Sequence, residues 1–229
     1  MSDLSIDIAD VYDELGAIAS IVNRTPVVTG QRVLYDINSQ ATKPFIREYH
    51  LDGSLPYDTL ITPQDVIRII STDKYYMIMN KTPELFEDSV VEWNVVLYLC
   101  NLPATAHILR PVEVRDPATY KIVHGWQVLY DSPIYGLASD RFFGAEIDQE
   151  TPKAGQFQMW KIDLYLPKIY TIKPLDRIFM SETEYYKVEA IESHHYPGVN
   201  MVLLVEDTRP AALIVYDDEY DEYGDVYDG

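Results

Sequence analysis

A short pattern that occurs twice constrains this chain more than any other feature. The first copy is Thr59-Leu60-Ile61-Thr62-Pro63-Gln64-Asp65-Val66-Ile67, followed by Tyr75-Tyr76. The second is Tyr170-Thr171-Ile172-Lys173-Pro174-Leu175-Asp176-Arg177-Ile178, followed by Tyr185-Tyr186. Proline precedes the first tyrosine by 12 residues in one copy and 11 in the other, a difference that one hairpin loop absorbs. Proline ends a strand because it has no N–H for the ladder. The aspartate carboxylate can accept nearby backbone N–H groups and hold the turn. The isoleucine after it restarts a strand whose hairpin partner carries the tyrosine pair. Ile61, Pro63, Asp65 and Tyr75, and equally Ile172, Pro174, Asp176 and Tyr185, are therefore assigned as fold-forming. Each copy runs on into a further strand pair, ending near Leu97–Cys100 in the first and Leu203–Glu206 in the second. Repetition on this scale implies two similar β modules.

The rest of the chain agrees. Val91, Trp93, Val95, Leu97 and Leu99 share one parity, opposed by Glu92, Asn94, Tyr98 and Cys100, with Val96 the exception. Trp160, Ile162, Leu164 and Leu166 oppose Lys161, Asp163 and Tyr165. Such alternation is the period of a half-buried strand. Met201–Val205 is apolar throughout and predicts a strand buried on both faces. Proline and glycine interrupt the chain often, as barrels and sandwiches of short strands require. Helix signals are sparse. Val11, Leu15 and Ile18 have helical spacing, opposed by Gly16 and the β-branched residues of Ile18–Val22. Thr82-Pro83-Glu84 has the cap-then-proline order that permits a short helix over Thr82–Phe86. The expected fold is all-β: two tandem barrel- or sandwich-like modules over 1–108 and 109–210, then an acidic tail over 211–229.

Charge narrows the function. The 229 residues hold 18 Lys+Arg and 37 Asp+Glu, a net charge of −19. That excess disfavours sequence-independent binding to DNA or RNA and docking on anionic membrane. Seven acids and no base lie in Asp217–Gly229, so residues 1–216 carry −19 + 7 = −12. Tyr216, Tyr220, Tyr223 and Tyr227 recur at i, i+4, i+7 and i+11. The tail is either solvated and disordered or ordered by a partner. In the second case those tyrosines are anchors, and acids such as Asp217 and Asp218 set register or repel DNA.

Chemistry-bearing motifs are absent from the sequence. The five histidines form neither H-x-x-x-H nor H-E-x-x-H, and adjacent His194 and His195 in a strand point to opposite faces. There is no nucleophile elbow and no glycine-rich phosphate loop. The single cysteine, Cys100, lies in an apolar strand pattern where a thiol is normally inert. No metal, cofactor or catalytic residue is expected, and no enzyme activity. Paired carboxylates for glycoside cleavage stay open, because 37 acids supply many accidental pairs. No apolar run reaches the length of a membrane span, and Asp3, Asp7, Asp10, Asp13 and Glu14 break any secretory leader.

The stretch Ile172–Ile178, then Tyr185-Tyr186-Lys187-Val188-Glu189-Ala190-Ile191, then Met201–Asp207, resembles tailed-bacteriophage head-completion proteins, the stoppers or head-tail joining proteins. Their pattern is a proline, an Asp-Arg-Ile-like step, a hairpin ending in Tyr-x-Val/Ile and a closing apolar strand. The first copy matches more loosely, with Val66 where that pattern often has arginine. Such proteins are often a single smaller barrel, whereas this chain carries two repeats. The resemblance implies a non-enzymatic subunit of a homo-oligomeric ring in the virion neck, assembled in the host cytoplasm on portal or adaptor and tail proteins. DNA would pass through its lumen without tight binding, which an acidic wall favours. Alternatives are a tail-completion, tail-tube, baseplate or capsid-surface component, or a carbohydrate-binding or glycosidase-like β module.

Overall fold

The computed structural model describes residues 3–37, 49–115, 120–131, 133–140, 161–181, 184–194 and 196–207. It is mostly β. One helix, α1 (Asp3–Leu15), precedes six strands: β1 (Ala17–Ile21), β2 (Val28–Ile37), β3 (His50–Pro56), β4 (Val66–Ile69), β5 (Lys74–Phe86) and β6 (Ser89–Leu99). These form a closed antiparallel barrel in the order β1-β2-β3-β6-β5-β4. The pairing of Ile21 with Ile67 and Ala19 with Ile69 completes the ring. A second sheet comprises β7 (His107–Arg115), β8 (Ile122–Tyr130), β9 (Leu137–Asp140), β10 (Lys161–Pro167), β11 (Arg177–Ser181), β12 (Glu184–Glu192) and β13 (Val199–Glu206). Its order is β8-β7-β11-β12-β13-β10-β9. β7 begins two residues before position 109, and residues 100–106 connect the two sheets.

The two sheets follow one plan. β4, β5 and β6 of the barrel occupy the places of β11, β12 and β13, while β1 and β3 correspond to β7 and β10. In the barrel, β2 spans its two neighbours, pairing β1 through Val28–Val33 and β3 through Leu34–Ile37. In the second sheet that work is divided: β8 pairs β7, and β9 pairs β10. Residues between Tyr130 and Leu137 interrupt what is one strand in the barrel. The sheet is thus an unclosed version of the same barrel, which gives the sequence repeat its physical basis.

Each body has its own core, and a third core joins them. Val33, Leu55, Ile61, Ile67, Ile78 and Leu97 are among the residues that fill the barrel. Ile108, Leu164, Leu166, Ile178, Val188, Val202 and Leu204 form the core of the second sheet. The third cluster takes Val66, Met77, Met79 and Tyr98 from the barrel and Leu137 and Val199 from the second sheet. This explains the parity exception in β6. Val95 and Leu97 face the barrel core, while Val96, Tyr98 and Cys100 face the other body, so both parities are apolar. The Met201–Val205 strand corrects its expectation: Val202 and Leu204 are buried, but Met201, Leu203 and Val205 are only half-buried.

Two helix expectations are revised. α1 forms but stops at Leu15: its last helical bond runs from Gly16 N to the Tyr12 carbonyl, and the chain enters β1 at Ala17, so Ile18 belongs to a strand. Its buried face is not the Val11–Leu15 row. Ser5 and Tyr12 are buried, the Tyr12 hydroxyl donating to Glu92 at 2.8 Å. Burial and the Glu92 carboxylate push the Tyr12 hydroxyl well above its ordinary range. Thr82–Phe86 is not helical: it is the end of β5, where Thr82 faces Asn94 and Pro83 faces Trp93 on β6. Long-range pairing overrides the cap-like local signal.

Candidate functional site

The two repeat turns superimpose in their hydrogen bonds. Thr62-Pro63-Gln64-Asp65 closes with Asp65 N donating to Thr62 O at 3.1 Å, and Lys173-Pro174-Leu175-Asp176 closes with Asp176 N donating to Lys173 O at 3.1 Å. Proline at the second position and positive φ at the third (81° at Gln64, 78° at Leu175) make both type II turns. Both third positions would suit glycine better. Each turn is stitched to its neighbouring strand: Gln64 N donates to Ile78 O and Ile78 N to Asp65 O, as Leu175 N does to Val188 O and Val188 N to Asp176 O. The carboxylates of Asp65 and Asp176 are buried. Asp65 accepts from Thr62 N (2.6 Å) and Thr62 Oγ1 (2.9 Å), and Asp176 accepts from Lys173 N (2.7 Å).

An arginine from outside the motif neutralises each carboxylate. Arg24 donates to Asp65 through Nε (2.8 Å) and Nη2 (2.5 Å), and Arg110 donates to Asp176 through Nε (2.9 Å) and Nη2 (2.7 Å). The same Nη2 atoms reach the carbonyls of Leu60 and Thr171, five residues before each aspartate. Such bidentate pairs combine charge with fixed geometry. Bonding to Asp176 raises the Arg110 guanidinium above its ordinary value. Sequence reasoning missed both arginines. Ile21 and Ile108 lie opposite Ile67 and Ile178, yet Arg24 is three residues past Ile21 and Arg110 two past Ile108. The sequence separations to aspartate, 41 and 66 residues, differ more still. Arg177, the residue after the second aspartate, reaches Asp207 at 2.7 Å and stacks 4.2 Å from the Trp126 ring centroid.

The remaining motif residues divide between cores. Ile61 is buried in the barrel and Ile172 packs half-buried against the second core. Tyr76 and Tyr186, opposite Ile67 and Ile178, belong to their own cores. Tyr75 faces the other body and stacks on Tyr135 at 5.2 Å, while Tyr185 is buried against Phe179. Pro63 is half-buried and Pro174 exposed. The C-terminal positions Tyr216, Asp217, Asp218, Tyr220, Tyr223 and Tyr227 lie outside the described residues, as do Trp160 and His195.

Where the two bodies meet, a cleft of about 220 Å³ opens, lined by Tyr49, His50, Tyr98, Leu137, Ala138, Ser139, Tyr165 and Tyr196. His50 lies flat on Tyr98, ring centroids 4.0 Å apart. Tyr165 and Tyr196 meet Tyr98 edge-on at 5.7 and 6.4 Å. Burial lowers the His50 pKa below 6.5, Asp52 partly opposing it. Burial first, then the neighbouring tyrosine, pushes the Tyr165 hydroxyl up to about 12. At neutral pH the cleft therefore presents uncharged rings and hydroxyl groups. It suits stacking against a flat or apolar group, and its lining holds no carboxylate. A second, more open groove on the barrel has one carboxylate, Asp52, beside Asn80, Thr82 and Asn94. Neither has the carboxylate pair of a glycosidase.

Cys100 packs against the third core, where burial raises its thiol and suppresses the thiolate on which reactivity depends. Among the described residues no group of three His, Cys, Asp or Glu side chains is placed to hold a metal ion. No helix among them is long and apolar enough to cross a membrane. Comparison with protein-family models, curated proteins and solved structures finds no match for this chain.

Proposed function

We propose that this chain is a structural, non-enzymatic subunit of the head-to-tail connector, or neck, of a tailed bacteriophage. In this role copies form a ring that joins portal or adaptor to tail and surrounds the DNA channel. The observation that carries the proposal is the repeat turn, whose second copy resembles head-completion proteins and whose residues build architecture in both bodies. A shared third core ties the two bodies together, as a load-transmitting part needs, and each body braces its own repeat turn with a buried ion pair. The net charge of −19 supports a wall past which phosphate slides without adhesion. The test is to locate and count the chain in purified particles of the phage that encodes it. One set of copies at the portal–tail junction supports the neck; many copies over the capsid, or none in the particle, overturns it.

A carbohydrate-binding module is the second reading, favoured by the tyrosine-lined cleft. Sugar rings stack on aromatic faces and bond to hydroxyl groups at their rims. A glycan array without binding removes this reading.

A further inference from the structure

The cleft and the second groove lie on one face of the barrel. On β3, His50 and Asp52 are two residues apart, and on β6 so are Tyr98 and Val96. Both pairs therefore share the face opposite the core residues Leu51 and Leu97. His50 pairs with Tyr98 in the cleft lining, Asp52 pairs with Val96 in the groove, and Asn80 on β5 extends that second row. A third row holds Ser54, Asn94 and Thr82. Such rows are about 7 Å apart along the strands. The 220 Å³ cleft and the groove of about 270 Å³ are thus consecutive stretches of one track.

The two stretches differ in chemistry. In the cleft the second sheet brings Tyr165 and Tyr196 against Tyr98, so the lining is mostly rings. In the groove Asp52, Asn80, Thr82 and Asn94 are exposed and supply a carboxylate, two carboxamides and a hydroxyl. Asn94 Nδ2 donates to Glu84 at 2.9 Å and Lys81 N donates to Asn80 Oδ1 at 2.9 Å, which holds both amides in place. Among the described residues neither lining contains lysine or arginine.

We propose that this track binds a neutral oligosaccharide, one ring held among the tyrosines of the cleft and the next bonded through its hydroxyls to Asp52, Asn80 and Asn94. The C–H face of a sugar ring packs on aromatic side chains, and short amides and a carboxylate match its neighbouring hydroxyls. Asp52 and the net charge of −19 oppose uronic and sialic acids, phosphorylated ligands and nucleic acids. The proposal rests on the carbohydrate-binding reading and adds to it a site, a minimum of two rings and a charge preference. It is independent of the neck reading.

The test uses the full chain. A glycan array carrying neutral, uronic and sialic sugars finds the sugar type, and calorimetric titration with the matching mono- and disaccharide reads the track. Expected are neutral glycans only, with the disaccharide binding about tenfold more tightly than the monosaccharide. Asp52→Ala and Asn94→Ala should each reduce that gain and leave monosaccharide binding unchanged, while Tyr165→Leu should weaken both. Asp52 and Asn94 are exposed, and unchanged circular dichroism of their variants separates a lost contact from a lost fold. An array silent for every glycan removes the carbohydrate-binding reading and this proposal with it. A preference for acidic sugars, a disaccharide no tighter than the monosaccharide, a gain that survives both alanine variants, or indifference to Tyr165→Leu overturns the proposal alone and leaves that reading standing.

Discussion

Removing Arg110 strands a carboxylate that has almost no other support. Asp176 is 1% exposed and takes two bonds from Arg110, with Lys173 N as its remaining donor among the described residues. Deleting one partner of a buried ion pair costs about 3–5 kcal/mol. In a protein of this size each kcal/mol moves the unfolding midpoint by about 2–4 °C, so Arg110→Ala should lower it by about 6–20 °C. The equivalent change in the barrel should be milder. Without Arg24, Asp65 keeps Thr62 N and Thr62 Oγ1, and the Arg24 side chain is itself 36% exposed. Arg24→Ala should therefore cost about 1–3 kcal/mol, the range for hydrogen bonds to a charged group. Adding Asp176→Asn to Arg110→Ala keeps an acceptor for Lys173 N and removes the stranded charge. The double variant should be more stable than Arg110→Ala alone. Calorimetry with circular dichroism measures all four proteins. An Arg110→Ala midpoint within about 2 °C of the parent, less than one kcal/mol, would refute the reasoning. So would a double variant less stable than Arg110→Ala.

Leu175→Gly should be close to neutral despite the glycine. Leaving φ = 78° without a Cβ relieves about 1–2 kcal/mol, which offsets the added freedom of the unfolded chain; a large fall in midpoint would sink this. Gly198→Ala should destabilise by about 1–3 kcal/mol or more, because the new Cβ would lie 2.2 Å from Gln64 N and 2.7 Å from the Pro63 carbonyl carbon, backbone of the other body. Thermal melts check it, and a parent-like midpoint counts against close packing there. His50 makes stability depend on pH. Its folded pKa lies below 6.5, so below that pH the unfolded chain takes up a proton that the folded chain resists. Its contribution is complete above 6.5 and declines as pH falls through 6.5 toward the folded value. His50→Gln should flatten that part of the stability–pH curve, and a curve unchanged by the substitution would refute the assignment.

The repeat was visible in the sequence because its determinants are local. A proline that cannot pair, an aspartate that folds back on its own turn and a β-branched residue that restarts a strand act within nine residues. Alternation along Val91–Leu99 likewise marked a strand, since parity is a property of one segment. Where the reading failed, long-range partners had decided the outcome. Thr82–Phe86 looked like a helix start until β6 paired with it. The helical spacing of Val11 and Leu15 does not reveal which side of α1 meets the barrel, where Ser5 and Tyr12 are buried and the Tyr12 hydroxyl donates to Glu92.

By itself, the sequence determined an all-β body of two related halves, the strand-ending turns and a large acidic excess. Only the tertiary structure decided which arginine meets each buried aspartate, that one half closes as a barrel while the other stays open between β8 and β9, and that Tyr98 and Tyr165 share a cleft. The physical reason is the same in each case. Turns and periodicity depend on bonds within a few residues. A buried charge or an aromatic stack is satisfied by whichever group the fold brings near, and two sites with the same chemistry reach their arginines across 41 and 66 residues.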